Sequence, residues 1–333
     1  MILSVFTSYP IPPRLKKISR LFGEDITYIA WNRKEYLTPT INNDLILDNQ
    51  PGNNGIMKYF GIVGFRRLLK NTISHLKPEL IVCRGWPSFF IVRSINCSTQ
   101  IVYDVCDMPN KAIIRIIEGI LIRKSDLVLL ASRFYVNRYN LWNWHLYENR
   151  VTRQEIVSKE VSNKLRITFL GVIRYKEILK NLICACNHFP SIELVFWGFG
   201  NDYCEIDNYI KQTGSHAKLK GQYEEKDIPY IYSQSDIVWC AYPYRLKNVK
   251  SAISNKFFET IAYRTPGIFS KYTELGTLVE EKGIGYVVDP YDINDIITLM
   301  ERLLEEKPFD NVVRNIVRSG EKCYWDEYST KQQ

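Results

Sequence analysis

Between residues 167 and 305 short apolar runs alternate regularly with amphipathic segments of helical period. The runs predict strands at 166–170, 192–197, 217–219, 237–241, 267–269 and 285–288. The segments between and after them predict helices at about 177–188, 202–213, 225–233, 254–264, 274–282 and 292–306. A last helical stretch, about 309–328, has no strand after it. The first half repeats the alternation with longer loops. Its strands are expected at 2–6, 26–30, 80–83, 101–105 and 127–131, with amphipathic helices at 57–76 and about 112–124. Residues 35–56, rich in Asn, Pro and Gly, read as irregular loop. Strands and helices alternating at this spacing predict an α/β fold of doubly wound, Rossmann-like parallel sheets. The polar, aperiodic stretch 150–164 reads as a linker, which gives domains at 1–150 and 151–308. Two such sheets are expected to face each other across a cleft at the carboxyl ends of their strands.

Composition narrows the class. A hydrophobic content of 46% and a charged content of 24% are those of an ordinary soluble protein. The apolar stretch near 113–121 is interrupted by Arg115 and Glu118, so it does not read as a membrane span. The opening MILSVFTSYP reads as a first strand, with no basic leader or cleavage site. Eight cysteines, at 83, 97, 106, 184, 186, 204, 240 and 323, show no zinc spacing; buried free thiols point to a reducing, cytoplasmic setting.

Charge is uneven. Residues 1–150 hold 20 Lys/Arg against 11 Asp/Glu, and residues 151–333 hold 24 against 25. Any anionic macroscopic partner is therefore expected at the first half. On the 57–76 helix Arg66, Arg67 and Lys70 stand near Phe60, Ile62, Val63 and Phe65. That pattern suits either a helix packed on its sheet or one lying on an anionic membrane, and the basic balance of the half favours peripheral membrane contact. The cations are not interleaved with aromatics as in a nucleic-acid module, so no nucleic acid is expected.

Candidate chemistry gathers at strand ends. Gly171 closes one strand, and its turn presents Arg174 and Lys176, cations suited to a diphosphate. The helix starting near Ser254 and Asn255 offers free backbone N–H groups for phosphate oxygens, and Glu259, one turn on, offers an acceptor for ribose hydroxyls. No D-x-D sequence or tight acidic cluster occurs, so no metal or other cofactor is expected, and Arg, Lys and the helix start must neutralise a leaving diphosphate. The absence of GxGxxG after the first strand argues against a dehydrogenase. After the 101–105 strand, Asp107 is a candidate general base and Cys106 a weak candidate nucleophile. Tyr9, in the loop after the first strand, and Arg84 with Gly85 are candidate acceptor contacts.

The run SNKFFETIAYRTPGIF, followed by TELGTLVEEKGIGYVVDP, resembles the C-terminal signature of GT-B glycosyltransferases, in particular family 4 and its relatives. FLGVIRYK, IELVFWGFGND and GQYEEKDIPYIYSQSDIVWCAYP resemble further elements of that half, and IVYDVCDMP with IEGILIRKSDLVLLAS resembles parts of the first. The resemblance implies a bacterial polysaccharide-assembly glycosyltransferase, metal-independent, taking a UDP- or GDP-type sugar to a lipid-linked glycan acceptor, with retention. It places Arg174 and Lys176 on the diphosphate, Glu259 on the ribose and Tyr223 at the base. It also implies that 309–333, with Trp325, packs back towards the N-terminal domain, and that the enzyme works at the cytoplasmic face of the membrane. The sequence departs from the family where a second carboxylate is usual eight positions before Glu259, at Ser251, and where Cys106 replaces a histidine. A nucleotide-sugar epimerase of the same fold and a non-catalytic nucleotide-sugar-binding subunit remain alternatives.

Overall fold

The computed structural model describes residues 1–32, 45–48, 55–95, 98–139 and 141–327. The chain divides into two compact units, Met1–Glu148 and Asn149–Gln333. Each is built on one parallel sheet, as the alternation of elements predicts.

The first unit contains strands β1 (Ile2–Phe6), β2 (Ile26–Trp31), β3 (Leu45–Asp48), β4 (Leu80–Arg84), β5 (Gln100–Val105), β6 (Leu127–Leu130) and β7 (Trp144–Leu146). Their spatial order is β3-β2-β1-β4-β5-β6-β7, all parallel. Strands β3 and β7 and the helix Gly85–Arg93 were not expected. The four-residue run LILD is too short to stand out from the Asn-rich sequence around it, yet it pairs in register with Tyr28–Trp31. The rest of the loop expected over 35–56 lies mostly outside the described residues. On the helix Gly55–Leu76, Phe65, Leu69 and Ile73 recur at helical spacing and pack into the core, while Arg66 donates to Ser94 Oγ and O at 2.8 and 2.7 Å. Of the two readings of this helix, sheet packing accounts for that stripe.

The second unit contains β8 (Leu165–Leu170), β9 (Ile192–Trp197), β10 (Lys218–Leu219), β11 (Ile237–Trp239), β12 (Gly267–Ser270) and β13 (Gly285–Val288), in the order β10-β9-β8-β11-β12-β13. The central strand β8 is buried along its whole length, whereas β9 alternates buried and half-buried positions. A strand covered on both faces reads as a continuous apolar run, and this one accommodates Arg166 by letting its guanidinium donate to Asp236 at 3.1 Å and to the Glu160 carbonyl at 2.5 Å. The helix expected over 309–328 stops earlier, as Asp310–Arg318; the chain then runs irregularly until Tyr324 bridges to Val151. Among the described residues, no helix is long and apolar enough to cross a membrane.

In both sheets the strand order reverses beside the first strand, between β1 and β4 and between β8 and β11. At such switch points neighbouring loops leave in opposite directions and open a crevice at the carboxyl edge. The edges therefore hold the candidate chemistry.

Inside the first unit, Asp104 on β5 is fully buried and accepts from Arg14 Nε and Nη2 at 3.1 and 2.7 Å. Replacing Asp104 by Ala would leave the buried Arg14 guanidinium uncompensated. Denaturant unfolding should show a loss of about 3–5 kcal/mol; an unchanged midpoint would show the pair to be dispensable.

Candidate functional site

The site in the second unit is built around the turn after β8. Gly171 leaves the strand with φ +135°, and its N–H donates to the Trp197 carbonyl at 2.9 Å. The neighbouring turn after β9 presses against it: a Cβ at Gly198 would lie 1.8 Å from the Gly171 oxygen, so only glycine fits. These contacts bring the strand-end turns into one layer and hold the Gly171 backbone beside the helix Asn255–Ala262.

That helix supplies the central charge. Phe257 and Phe258 are buried in the unit's interior, so Lys256, preceding them, is only 7% exposed and Glu259 only 8%. Lys256 Nζ lies 3.4 Å from where a Cβ on Gly171 would stand. Among the described residues this ammonium makes no hydrogen bond or ion pair. Burial opposes its charge, but the oxygens of Tyr242, Glu259 and Tyr223 outweigh that and raise its pKa above the ordinary lysine value. Lys256 and Glu259, three residues apart, share one helix face. The Glu259 carboxylate accepts from the buried Tyr232 hydroxyl at 2.9 Å.

Two phenols complete the surroundings. Burial, chiefly, raises the pKa of Tyr223 and of Tyr242, so both stay neutral, and each feels the charges of Lys256 and Glu259. Tyr242 also feels Arg174, which stacks over the Tyr175 ring at 4.8 Å, and Tyr175 meets Tyr242 edge-on. Ser254, at the helix start, has a buried Oγ with no hydrogen-bond partner among the described residues, and the next residue, Asn255, is exposed and bonded to Asn149.

Of the residues expected from sequence, Gly171, Arg174, Tyr223, Ser254 and Glu259 thus fall around one buried cation that the sequence reading did not single out. Lys176 is placed differently. Its ammonium is held by Glu205 at 2.8 Å, on the next helix, which raises its pKa through that hydrogen bond, and Lys180 reaches the same carboxylate. Lys256 is the ammonium the structure sets beside Gly171. A lysine directly before the apolar pair Phe257–Phe258, three residues from Glu259, was the signal for it. Chemically, the arrangement offers an ammonium, an unbonded hydroxyl and a helix start to phosphate oxygens, and a carboxylate to hydroxyl donors.

At the corresponding edge of the first unit, Gly85 opens the helix Gly85–Arg93 with Cys106 Sγ close by, and Arg84 lies 3.8 Å from Asp104 and over the Phe6 ring. Burial, aided by Asp107 and Asp104 against Arg84 and Arg14, pushes the Cys106 thiol up to about 12. That removes Cys106 as a nucleophile near neutral pH. Asp107 is exposed on the turn after β5, and Tyr9 sits half-buried in the loop after β1. Among the described residues no three His, Cys, Asp or Glu side chains are grouped to hold a metal ion.

Compared with known proteins, residues 152–321 match the model of the family described as glycosyl transferases group 1. The chain belongs to that family. No curated protein sequence matches it. Among solved structures, sucrose-phosphate synthase from Thermosynechococcus elongatus superposes with a TM-score of 0.73 at 12% identity, covering 98% of this chain and 96% of that one. The HepE protein of Anabaena in complex with UDP gives 0.71 at 12% identity, covering 98% and 96%. The apo lipopolysaccharide outer core galactosyltransferase WaaB gives 0.66 at 12% identity, covering 98% of both chains. These likenesses establish the fold as that of GT-B glycosyltransferases, with its pair of parallel-sheet domains.

With its proton held so firmly, Cys106 should resist iodoacetamide at pH 8 while the exposed Cys204 is alkylated, and should label only as pH approaches about 12. Peptide mapping by mass spectrometry reads both sites at once. Rapid labelling of Cys106 at pH 8 would contradict the assignment.

Proposed function

We propose that this chain transfers a sugar from a nucleotide-diphosphate sugar, of UDP or GDP type, to a lipid-linked glycan acceptor in cell-surface polysaccharide assembly, as an enzyme akin to glycosyltransferase family 4. The observation that carries the reading is Lys256: a buried, cationic ammonium that makes no hydrogen bond or ion pair among the described residues, beside a strand-end glycine turn and one helical turn from a buried carboxylate. An unpaired buried charge costs several kcal/mol, and an anion bound against it offsets that cost. In this reading Lys256, Arg174 and the helix start at Ser254 and Asn255 hold the diphosphate, Glu259 takes the ribose hydroxyls, and Tyr223 lies at the base.

The reaction breaks the bond between the anomeric carbon and the diphosphate oxygen and joins that carbon to an acceptor hydroxyl. With retention, the departing diphosphate takes the acceptor's proton; Asp107 is the alternative base. Negative charge grows on the leaving oxygen, so a fixed ammonium stabilises the transition state more than the bound donor. The side-chain cations supply this neutralisation without a metal ion. The first unit is assigned to the acceptor, around Tyr9, Arg84 and Gly85. The enzyme is assigned to the cytoplasmic face of the membrane. UDP in the Anabaena structure makes UDP-sugars the first donors to test.

A thermal-shift screen across UDP- and GDP-sugars should identify the donor, because binding raises apparent stability by mass action. Lys256→Ala and Glu259→Ala should then each weaken donor affinity by at least about thirtyfold in calorimetric titration, as expected for truncating one partner of a buried charged contact. The unliganded melting temperature monitors the fold. Variants that melt normally and bind donor as well as wild type would refute the assignment of this site.

A further inference from the structure

The helix Ala112–Leu121 is turned inside out. Its sequence AIIRIIEGIL places Ile113, Ile116, Ile117 and Ile120 at i, i+3, i+4 and i+7, the stripe that a sheet-covering helix normally buries. Here the four are 61%, 60%, 40% and 61% exposed. The residue facing inward is Glu118, fully buried, whose carboxylate accepts from the Tyr103 hydroxyl and, at 2.8 Å, from the Tyr139 hydroxyl. A buried carboxylate satisfied by two phenols fixes the helix's rotation, and that rotation points the isoleucines at solvent.

The charges around the stripe have one sign. Lys111 stands just before the helix, and Arg123 and Lys124 just after it, all exposed; Arg115 folds back onto the Pro109 and Asn110 carbonyls. Between residues 108 and 125 the sole carboxylate is Glu118, withdrawn inside. Lys111, a cation before the helix N-terminus, opposes the helix dipole, and no acid occupies the first turn to offset it, so Lys111 does not serve helix stability. The helix Gly85–Arg93 packs against both Ala112–Leu121 and Gly55–Leu76, and the latter exposes Phe60 and Val63.

We propose that this isoleucine face is a docking surface for an anionic lipid bilayer. The isoleucines enter the boundary between headgroups and acyl chains, and Lys111, Arg123 and Lys124 meet lipid phosphates. Charge decides between this occupant and a second copy of the chain. A two-fold contact would set one copy's cations against the other's, since the same patch meets itself.

The test is flotation with vesicles of phosphatidylcholine alone and of phosphatidylcholine mixed with phosphatidylglycerol, using the full chain without any sugar donor. Its outcome is thus separate from that of the donor-site experiment. Wild type should bind the anionic vesicles, weakly or not at all the neutral ones, and detach as salt rises. Ile116→Asp with Ile120→Asp should weaken binding by about a hundredfold or more, as two apolar anchors become repelled charges. Lys111→Ala and Lys124→Ala should each weaken it about fivefold. All four side chains are exposed, so circular dichroism should be unchanged. Failure of wild type to bind anionic vesicles, equal binding by the double aspartate variant, or a dimer in sedimentation that the same variant disperses would each overturn the proposal.

Discussion

The second unit depends on keeping one ammonium, that of Lys256, charged and buried, with no hydrogen bond or ion pair among the described residues. The helix Asn255–Ala262 anchors itself with Phe257 and Phe258, and this anchoring drives Lys256 into the layer beneath the Gly171 turn. Close approach of the turns after β8 and β9, which only glycine at 198 permits, brings backbone within reach of that ammonium. The tyrosine oxygens and Glu259 keep the proton on it against the effect of burial. Packing, strand-end geometry and electrostatics therefore converge on one atom. That convergence is what a site pre-organised for an anion requires, since fixed charge needs no rearrangement when the ligand arrives.

The first unit resolves its buried charges in the opposite way. Arg14 meets Asp104 through two guanidinium nitrogens, and Glu118 is closed off by two phenols. Neither is left to bind a ligand at full strength. What remains accessible at this edge is modest: Arg84, Gly85 and the exposed Asp107. The inside-out helix carries the same logic to the surface, where an interior hydrogen-bonded acid determines which apolar face meets solvent.

Much of the fold was legible because parallel strands covered on both faces must be apolar and helices between them must be amphipathic. Strands such as Ile192–Trp197 and Gly285–Val288 fall where the alternation puts them. The strand Leu45–Asp48 escaped notice because four residues carry too little periodic signal, and its register is imposed by β2. The helix expected to run to 328 ends at Arg318, because the chain there turns to bridge Val151, a tertiary contact with no local sequence mark. Around Lys256, Gly171 and Glu259 were legible as strand-end and helix-start residues, whereas Tyr223 came from the family resemblance alone. Lys176 was chosen for its nearness in sequence to Gly171, but Glu205 from another helix engages it. Lys256 was passed over because a lysine within a helix reads as solvent-facing; only the burial of both phenylalanines shows which way it points. The stripe of isoleucines was likewise readable as amphipathic, but its outward orientation follows from Tyr103 and Tyr139, which are distant in sequence.

Fixed positive charge at Lys256 should make the diphosphate the main source of donor affinity. Calorimetric titration of the purified chain with UDP, or with GDP if that is the base it prefers, and with the matching nucleoside tests it directly. The account predicts that the diphosphate binds at least about a hundredfold tighter than the nucleoside, the gap expected for charge-assisted contacts in a desolvated site. Equal affinity for the two would contradict it.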